Sequence, residues 1–314
     1  MEKQTAIITA LIAIFIITGS TPAKKTIFSM EENDQGIRLL ENGNPVFFYQ
    51  REPKSVKDLF SFNNYLHPVY NLQGDIITEE FPADHLHHRG IFWAWHQIYI
   101  DDNNIGDQWM MDKISQEVAG VKNKMSKKIA QFNISVLWKS SAWQNGKPFV
   151  EENTTITVHK REANIRKIDF EIVLRPLTAG VQLGGSDDEK GYGGFCVRVK
   201  LPDNTVFTSE KGRVTPQNLQ IISGPWMDIS SSLTSSGGKS GLAILCHQST
   251  PNYPEPWILR QEKSMQNVVF PGRERTKLVN PLTLRYRVLI HNGDANSLDL
   301  PALQAEYNKM YEGK

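Results

Sequence analysis

The sequence predicts an all-β fold, a large β-sandwich with a short C-terminal helix. Three observations carry this. Many short runs alternate apolar and polar residues, the period of a strand with one buried face. Gly, Asn and Pro clusters separate those runs at nearly regular spacing. Strands do not alternate with helical patterns, and there is neither a glycine-rich dinucleotide loop nor a P-loop, which argues against the nucleotide-binding α/β classes.

The elements follow in order. Lys3 precedes an uncharged apolar run, Ala6 to Thr18, and the small residues Gly19 to Ala23 come next. That is the order of parts in a signal peptide, and the run is shorter than the roughly 20 residues that cross a bilayer comfortably. The expectation is export to the periplasm or beyond, with 1–23 removed and 24–314 forming one sandwich domain that has no integral membrane span. Gly36–Asn42 and Asn44–Tyr49 read as a hairpin around an Asn-Gly-Asn turn. Lys127 to Lys139, Phe149–Lys160 and Ile165–Leu174 alternate and are rich in β-branched residues. Cys196–Leu201, Val206–Thr208, Leu242–His247 and Leu282–His291 continue the pattern. Asp187–Gly194 and Ser230 to Ser240 are polar loops. Pro301–Tyr311 is the clearest helix, with Pro in its first turn and Leu303, Tyr307 and Met310 on one face.

Charge is balanced, 35 basic against 34 acidic side chains, so nothing pulls the chain generally toward nucleic acid or anionic lipid. Cys196 and Cys246 each lie in an apolar, strand-like run and read as buried thiols. An exported protein also permits a disulfide between them.

Five of the eight histidines fall between His67 and His96, and the densest stretch is Asp84-His85-Leu86-His87-His88-Arg89. Imidazole is the side chain best suited to proton transfer or metal ligation near neutral pH. If the stretch is extended, His85 and His87 point one way and His88 the other. A divalent metal is then possible at His85 and His87, although no zinc-protease spacing is present and no metal residues are assigned. Trp93 and Trp95 would share one face of a strand, and Trp109 stands nearby. Aromatic planes of this kind stack on sugar rings. Among the nearby carboxylates, Asp84 and Glu80 are best placed for acid–base work. A second cluster, Cys246 to Arg260, runs from a strand into a Pro-rich loop carrying His247, Asn252, Trp257 and Arg260. Tyr192 sits in the glycine-rich loop.

The string His67-Pro68-Val69-Tyr70, Gly74-Asp75, Thr78, Asp84-His85-Leu86-His87-His88-Arg89-Gly90 and Phe92-Trp93-Ala94-Trp95 resembles the PmoA-like family of exported bacterial proteins. So do Lys190-Gly191-Tyr192-Gly193-Gly194-Phe195, Trp226-Met227-Asp228, Gly241-Leu242-Ala243-Ile244-Leu245, Asn252, Pro256-Trp257 and Leu284-Arg285-Tyr286-Arg287. The family name refers to a methane monooxygenase subunit. Such a subunit needs several membrane-spanning helices, which this chain lacks. The resemblance implies a galactose-mutarotase-like sandwich, a family largely of unknown function frequent in polysaccharide-degrading bacteria, and His85, His87, His88 and Arg89 as its histidine motif. Gln248 stands where that pattern leads one to expect proline.

Together these readings give an exported hydrolase or lyase acting on oligosaccharides. Asp84, His85, His87 and His88 are its expected catalytic groups. His67, Arg89, Trp95, Trp109, Tyr192, His247, Asn252, Trp257 and Arg260 are its expected substrate contacts. No cofactor is called for beyond the metal option. A noncatalytic sugar binder, a metal-dependent enzyme and an epimerase or mutarotase remain open, as does oligomeric state.

Overall fold

Two large antiparallel sheets stack face to face in the structure, a computed structural model that describes residues 27–254, 256–262 and 264–312. The expected signal peptide, 1–23, lies outside the described residues. The first sheet has eight strands in the order Phe28–Glu32, Gly36–Glu41, Asn44–Gln50, Tyr65–Val69, Ile91–Trp95, Gly193–Val197, Gln266–Val269 and Trp257–Ile258. The second has nine: Ile114–Met125, Ile129–Ser140, Val150–His159, Ile165–Pro176, Leu282–Asn292, Ser240–Cys246, Trp226–Ser231, Val206–Ser209 and Gly212–Val214. The predicted all-β sandwich is therefore the observed fold.

Alternation explains the stacking. Along Ile129–Ser140 the buried apolar positions are Ala130, Phe132, Ile134, Val136 and Trp138, and along Ile165–Pro176 they include Ile168, Phe170, Ile172 and Leu174. Each set shares one strand face and meets the first sheet's Leu39, Phe47, Leu66, Trp93, Trp95 and Phe195 in one continuous core. Fully burying a large apolar side chain contributes roughly 1.5–3 kcal/mol, so this layer dominates the stability. The hairpin Gly36–Glu41 to Asn44–Gln50 turns through Asn42 (φ 51) and Gly43 (φ 80), the left-handed pair that its Asn-Gly sequence favours.

Several elements depart from expectation, three of them instructively. Ile114–Met125 is a full-length strand that the sequence does not announce: it lies at the sheet edge, mostly exposed, and a bulge between Val118 and Gly120 breaks its alternation. Trp226–Ser231 is buried at every position, so it has no period to read. The expected Cys196–Leu201 strand sits earlier, at Gly193–Val197. Cys196 faces outward from the first sheet and Cys246 inward from the second, and no disulfide joins them.

The helix forms at Leu300–Lys309, against the outer face of the second sheet. Leu300, Gln304 and Tyr307 are its buried positions, a face shifted from the expected one. The Asp299 carboxylate caps it by accepting from the Ala302 N–H at 3.0 Å. Asp299→Ala should lower the unfolding free energy by about 1 kcal/mol in a urea titration; an unchanged midpoint would deny the cap any role. Among the described residues no helix is long and apolar enough to cross a membrane.

Candidate functional site

The histidine segment lies over the outer face of the first sheet. Strand Ile91–Trp95 sends Trp93 and Trp95 into the inter-sheet core and turns Phe92 and Ala94 outward. Strand Gly193–Val197 turns Cys196 outward, and Arg198 follows on the same side. Phe62, Tyr65, Trp109 and Met265 complete an apolar floor around them. The segment 81–90, the loop 107–111 and the hairpin Lys54–Val56 to Phe60–Phe62 cover that floor.

The histidine segment is turned, not extended. The His85 N–H donates to the Pro82 carbonyl at 2.9 Å, and the His88 N–H to the His85 carbonyl at 3.0 Å. The turn brings residues three apart together. His85 and His88 therefore stack, with ring centroids 4.5 Å apart and 3° between planes. His87 stands edge-on to both, 4.5 Å from His88 and 5.7 Å from His85. The expected alternation, with His85 and His87 together on one side, does not occur.

Two buried arginines fasten this loop. Arg198 donates from Nε to Glu79 at 2.8 Å and from Nη2 to Asp84 at 3.2 Å, and its Nη1 meets His88 Nδ1 at 3.0 Å. An arginine has no lone pair to accept with, so His88 Nδ1 is the acceptor and its proton resides on Nε2. Arg89 lies between the Phe62 and Phe92 rings, 4.1 Å from each, and donates to the His87 carbonyl at 3.0 Å. Burial draws its pKa down to about 9. Gly90 (φ 37) lets the chain pass against the neighbouring strand, since a Cβ there would fall 1.9 Å from the Leu66 carbonyl oxygen.

His87 is the imidazole of the group whose ring is least engaged. Burial, then the charges of His85, Arg89 and His96, lowers its pKa to about 4. It is half-buried, neutral at pH 7, and its ring nitrogens make no hydrogen bond within the described residues. Two histidine–aspartate pairs lie close enough to act on its charge. His85 Nδ1 meets Asp84 at 2.7 Å, and His96 Nδ1 meets Asp107 at 2.8 Å. Burial opposes the Asp84 charge, but the bonds from His85 and Arg198 outweigh it and hold the carboxyl below its usual range. Burial also drives the His88 pKa far below the ordinary histidine value. From His96 an aromatic path leads on: His96 stacks on Trp109 at 4.8 Å, Trp109 meets Tyr192 at 5.8 Å, and Arg260 lies 5.4 Å from the Tyr192 ring centre.

The structure thus brings together Asp84, His85, His87, His88, Tyr192 and Arg260 from the expected set, with Trp109 beneath them at 2% exposure, where it cannot stack on a ligand. It corrects the others. Trp95 and Trp257 are fully buried, their indole N–H groups donating to the Phe270 and Gly224 carbonyls, so neither can stack on a ligand. Arg89 is enclosed by phenylalanines and holds the loop instead of facing substrate. His247 packs under the C-terminal helix, with Nε2 bonded to the Asn308 carbonyl and Tyr307 and Tyr311 at its ring. Asn252 is exposed at a left-handed turn, with no contact to the histidines. His67 sits one strand over, bonded to Thr78 and lowered to about 4 by burial. Glu80 is taken up by Tyr65 and Lys54. Arg198, His96 and Asp107 belong to the site and were not singled out. Arg198 had a signal, a charge inside an apolar strand run.

Among the described residues, no group of three or more His, Cys, Asp or Glu side chains is placed to hold a metal ion. The fold and site define an all-β sandwich with a histidine-lined outer face. The chain belongs to a family of unknown function, DUF6807, whose model matches residues 36–304. It is also similar to a solved structure titled "Heparinase III-BT4657 gene product", at 10% identity and a TM-score of 0.27. That similarity covers 83% of this chain and 30% of the other, so this chain spans about a third of it. No curated protein matches the sequence.

Proposed function

We propose that this is an exported carbohydrate-active enzyme that cleaves acidic oligosaccharides by histidine proton transfer, with elimination as the reaction. The observation that supports it most is His87, a neutral, half-buried imidazole with no ring hydrogen bond within the described residues and two histidine–aspartate pairs nearby. Glycoside hydrolysis ordinarily uses two carboxylates directly on the sugar. Asp84 and Asp107 are each committed to a histidine, which favours a base that is an imidazole. In elimination, His87 takes the proton beside a uronate carboxylate. The electron pair forms a carbon–carbon double bond, the glycosidic C–O bond breaks, and His85 passes a proton to the departing oxygen. Tyr192 forms the aromatic edge of the sugar site, and Arg260 supplies positive charge at its far end.

The test is a panel of uronate-containing and neutral oligosaccharides. An unsaturated, ultraviolet-absorbing product marks elimination. New reducing ends without that absorbance would replace it with hydrolysis. Calorimetric binding with no product would reduce the protein to a sugar binder.

The pH profile offers a separate check. A base with pKa about 4 stays mostly unprotonated at pH 5, whereas one at the ordinary 6.5 would be almost fully protonated. The acidic limb of kcat/KM, where the base takes up a proton, should therefore lie near pH 4. The same depressed pKa means that the unfolded chain binds the proton more readily, so stability declines as pH drops from about 6.5 toward 4. Circular dichroism at each pH separates the two effects. A limb near 6.5 would remove His87 as the base.

A further inference from the structure

A cavity of about 340 Å³ opens at one end of the sandwich, and none of its lining residues belongs to the histidine site. Its mouth is formed by the turn 42–44, the loop 71–74 and the turn 160–163. Its inner wall is Arg166 and Glu41. Arg166 shares a strand face with Ile168, Phe170 and Ile172, and Glu41 with Ile37 and Leu39, so both point between the sheets. Arg166 Nη2 donates to Glu41 Oε2 at 3.0 Å, with the two side chains only 5% and 4% exposed.

That bond leaves the guanidinium incomplete. Nε and Nη1 of Arg166 are buried and have no acceptor among the described residues. Burying a charged donor without a partner is costly, so two empty donor positions call for an acceptor from outside the described residues. Both Glu41 oxygens are already engaged, since Oε1 accepts from the Arg161 backbone N–H at 2.8 Å. Lys160 and the Arg161 side chain add positive charge at the rim, so the lining carries three cations against one carboxylate. Asn42 and Asn44 present exposed side-chain amides at the mouth, with no hydrogen bond to the described residues. The volume is at the small end for ligand pockets and suits a ligand of one sugar ring.

We propose that this cavity binds a small hydroxylated oxyanion, a uronate or sulfated sugar unit, with its anionic group at Arg166 and Arg161 and its hydroxyls at Asn42 and Asn44. The sugar part of this assignment rests on the carbohydrate reading above; the oxyanion part does not. It is a second site, independent of the reacting histidines.

Calorimetric titration of the full chain with glucuronate, glucose and inorganic sulfate tests it. Glucuronate should bind at least about tenfold more tightly than glucose, a charge-assisted bond's worth of discrimination. Arg166→Gln should weaken glucuronate by about tenfold or more, Glu41→Gln should tighten it, and His87→Ala should leave it unchanged. Opposite signs at Arg166 and Glu41 are not expected of a purely structural ion pair. If Arg166→Gln does not fold, exposed Lys160→Gln replaces it and should weaken binding in a salt-sensitive way. Equal affinity for glucose and glucuronate, binding of sulfate alone, or indifference to the Lys160 and Glu41 changes would overturn the proposal. Binding lost in His87→Ala would move the ligand to the histidine site and overturn it too. Glucuronate binding with no turnover of any oligosaccharide would instead sink only the catalytic reading.

Discussion

Replacing His87 by glutamine should lower cleavage of an acidic oligosaccharide by about 10²–10⁴-fold, the usual contribution of a positioned general base. Glutamine keeps a polar side chain of similar reach but cannot take a proton at neutral pH. The fold should survive, because His87 makes no hydrogen bond that the substitution would orphan. Loss of rate with an unchanged thermal midpoint is therefore the expected pair of results. His88→Gln should behave differently, since His88 Nδ1 accepts from Arg198 and its loss disturbs the loop. A His87→Gln enzyme within about threefold of the parent rate would end the case for this residue as the base.

Much of the fold was legible because one-sided burial leaves a mark. Ile129–Ser140 and the 170–176 part of Ile165–Pro176 have one wetter and one dry face, so their period shows in the sequence. Trp226–Ser231, dry on both faces, and Ile114–Met125, wet at most positions, lack that period and are missed. Trp95 and Trp257 were misassigned for a related reason. Their sequence neighbourhood is that of a binding loop, but an aromatic on a strand is claimed by the core when the facing sheet supplies partners. Trp95 finds Trp138 at 5.7 Å.

The site was legible as a segment and not as a geometry. Clustering alone located the histidines, because so many imidazoles in one stretch exceed what a core uses. Which of them face each other depends on the two turn bonds from Pro82 and His85, and a run of His, Leu and Arg carries no signal for those turns. The second wall came from an unexpected direction. The Pro-rich loop was expected to bring His247 and Asn252, but only Arg260 arrives, through Tyr192. His96 and Asp107 come from the end of the tryptophan strand and the loop beyond it, eleven residues apart in sequence yet 2.8 Å apart in space.

Arg198→Met should give the second large effect, a loss of both order and rate at the site. The Arg198 side chain is 3% exposed and holds Glu79, Asp84 and His88 at once. Methionine fills part of the volume but offers no donor and no charge. Asp84 then loses a counter-charge and its carboxyl rises toward the ordinary range, which weakens its hold on His85. His88 loses the donor that fixes its tautomer, and its stacking on His85 is released. Glu79 and Asp84 keep some access to water, at 37% and 28%, so the stability cost should be about 2–3 kcal/mol, below the 3–5 typical of breaking a fully buried pair. Hydrogen exchange should accelerate at the His85 and His88 amides, which bond within the loop, while the amides of Ile129–Ser140 stay protected. Arg198→Lys should restore part of the stability but little of the rate, since one ammonium cannot hold three partners in the geometry of a planar fork. If Arg198→Met cleaved substrate at the parent rate with its loop still protected, the arginine would be reduced to a filler of space and the arrangement of the histidines would need another cause.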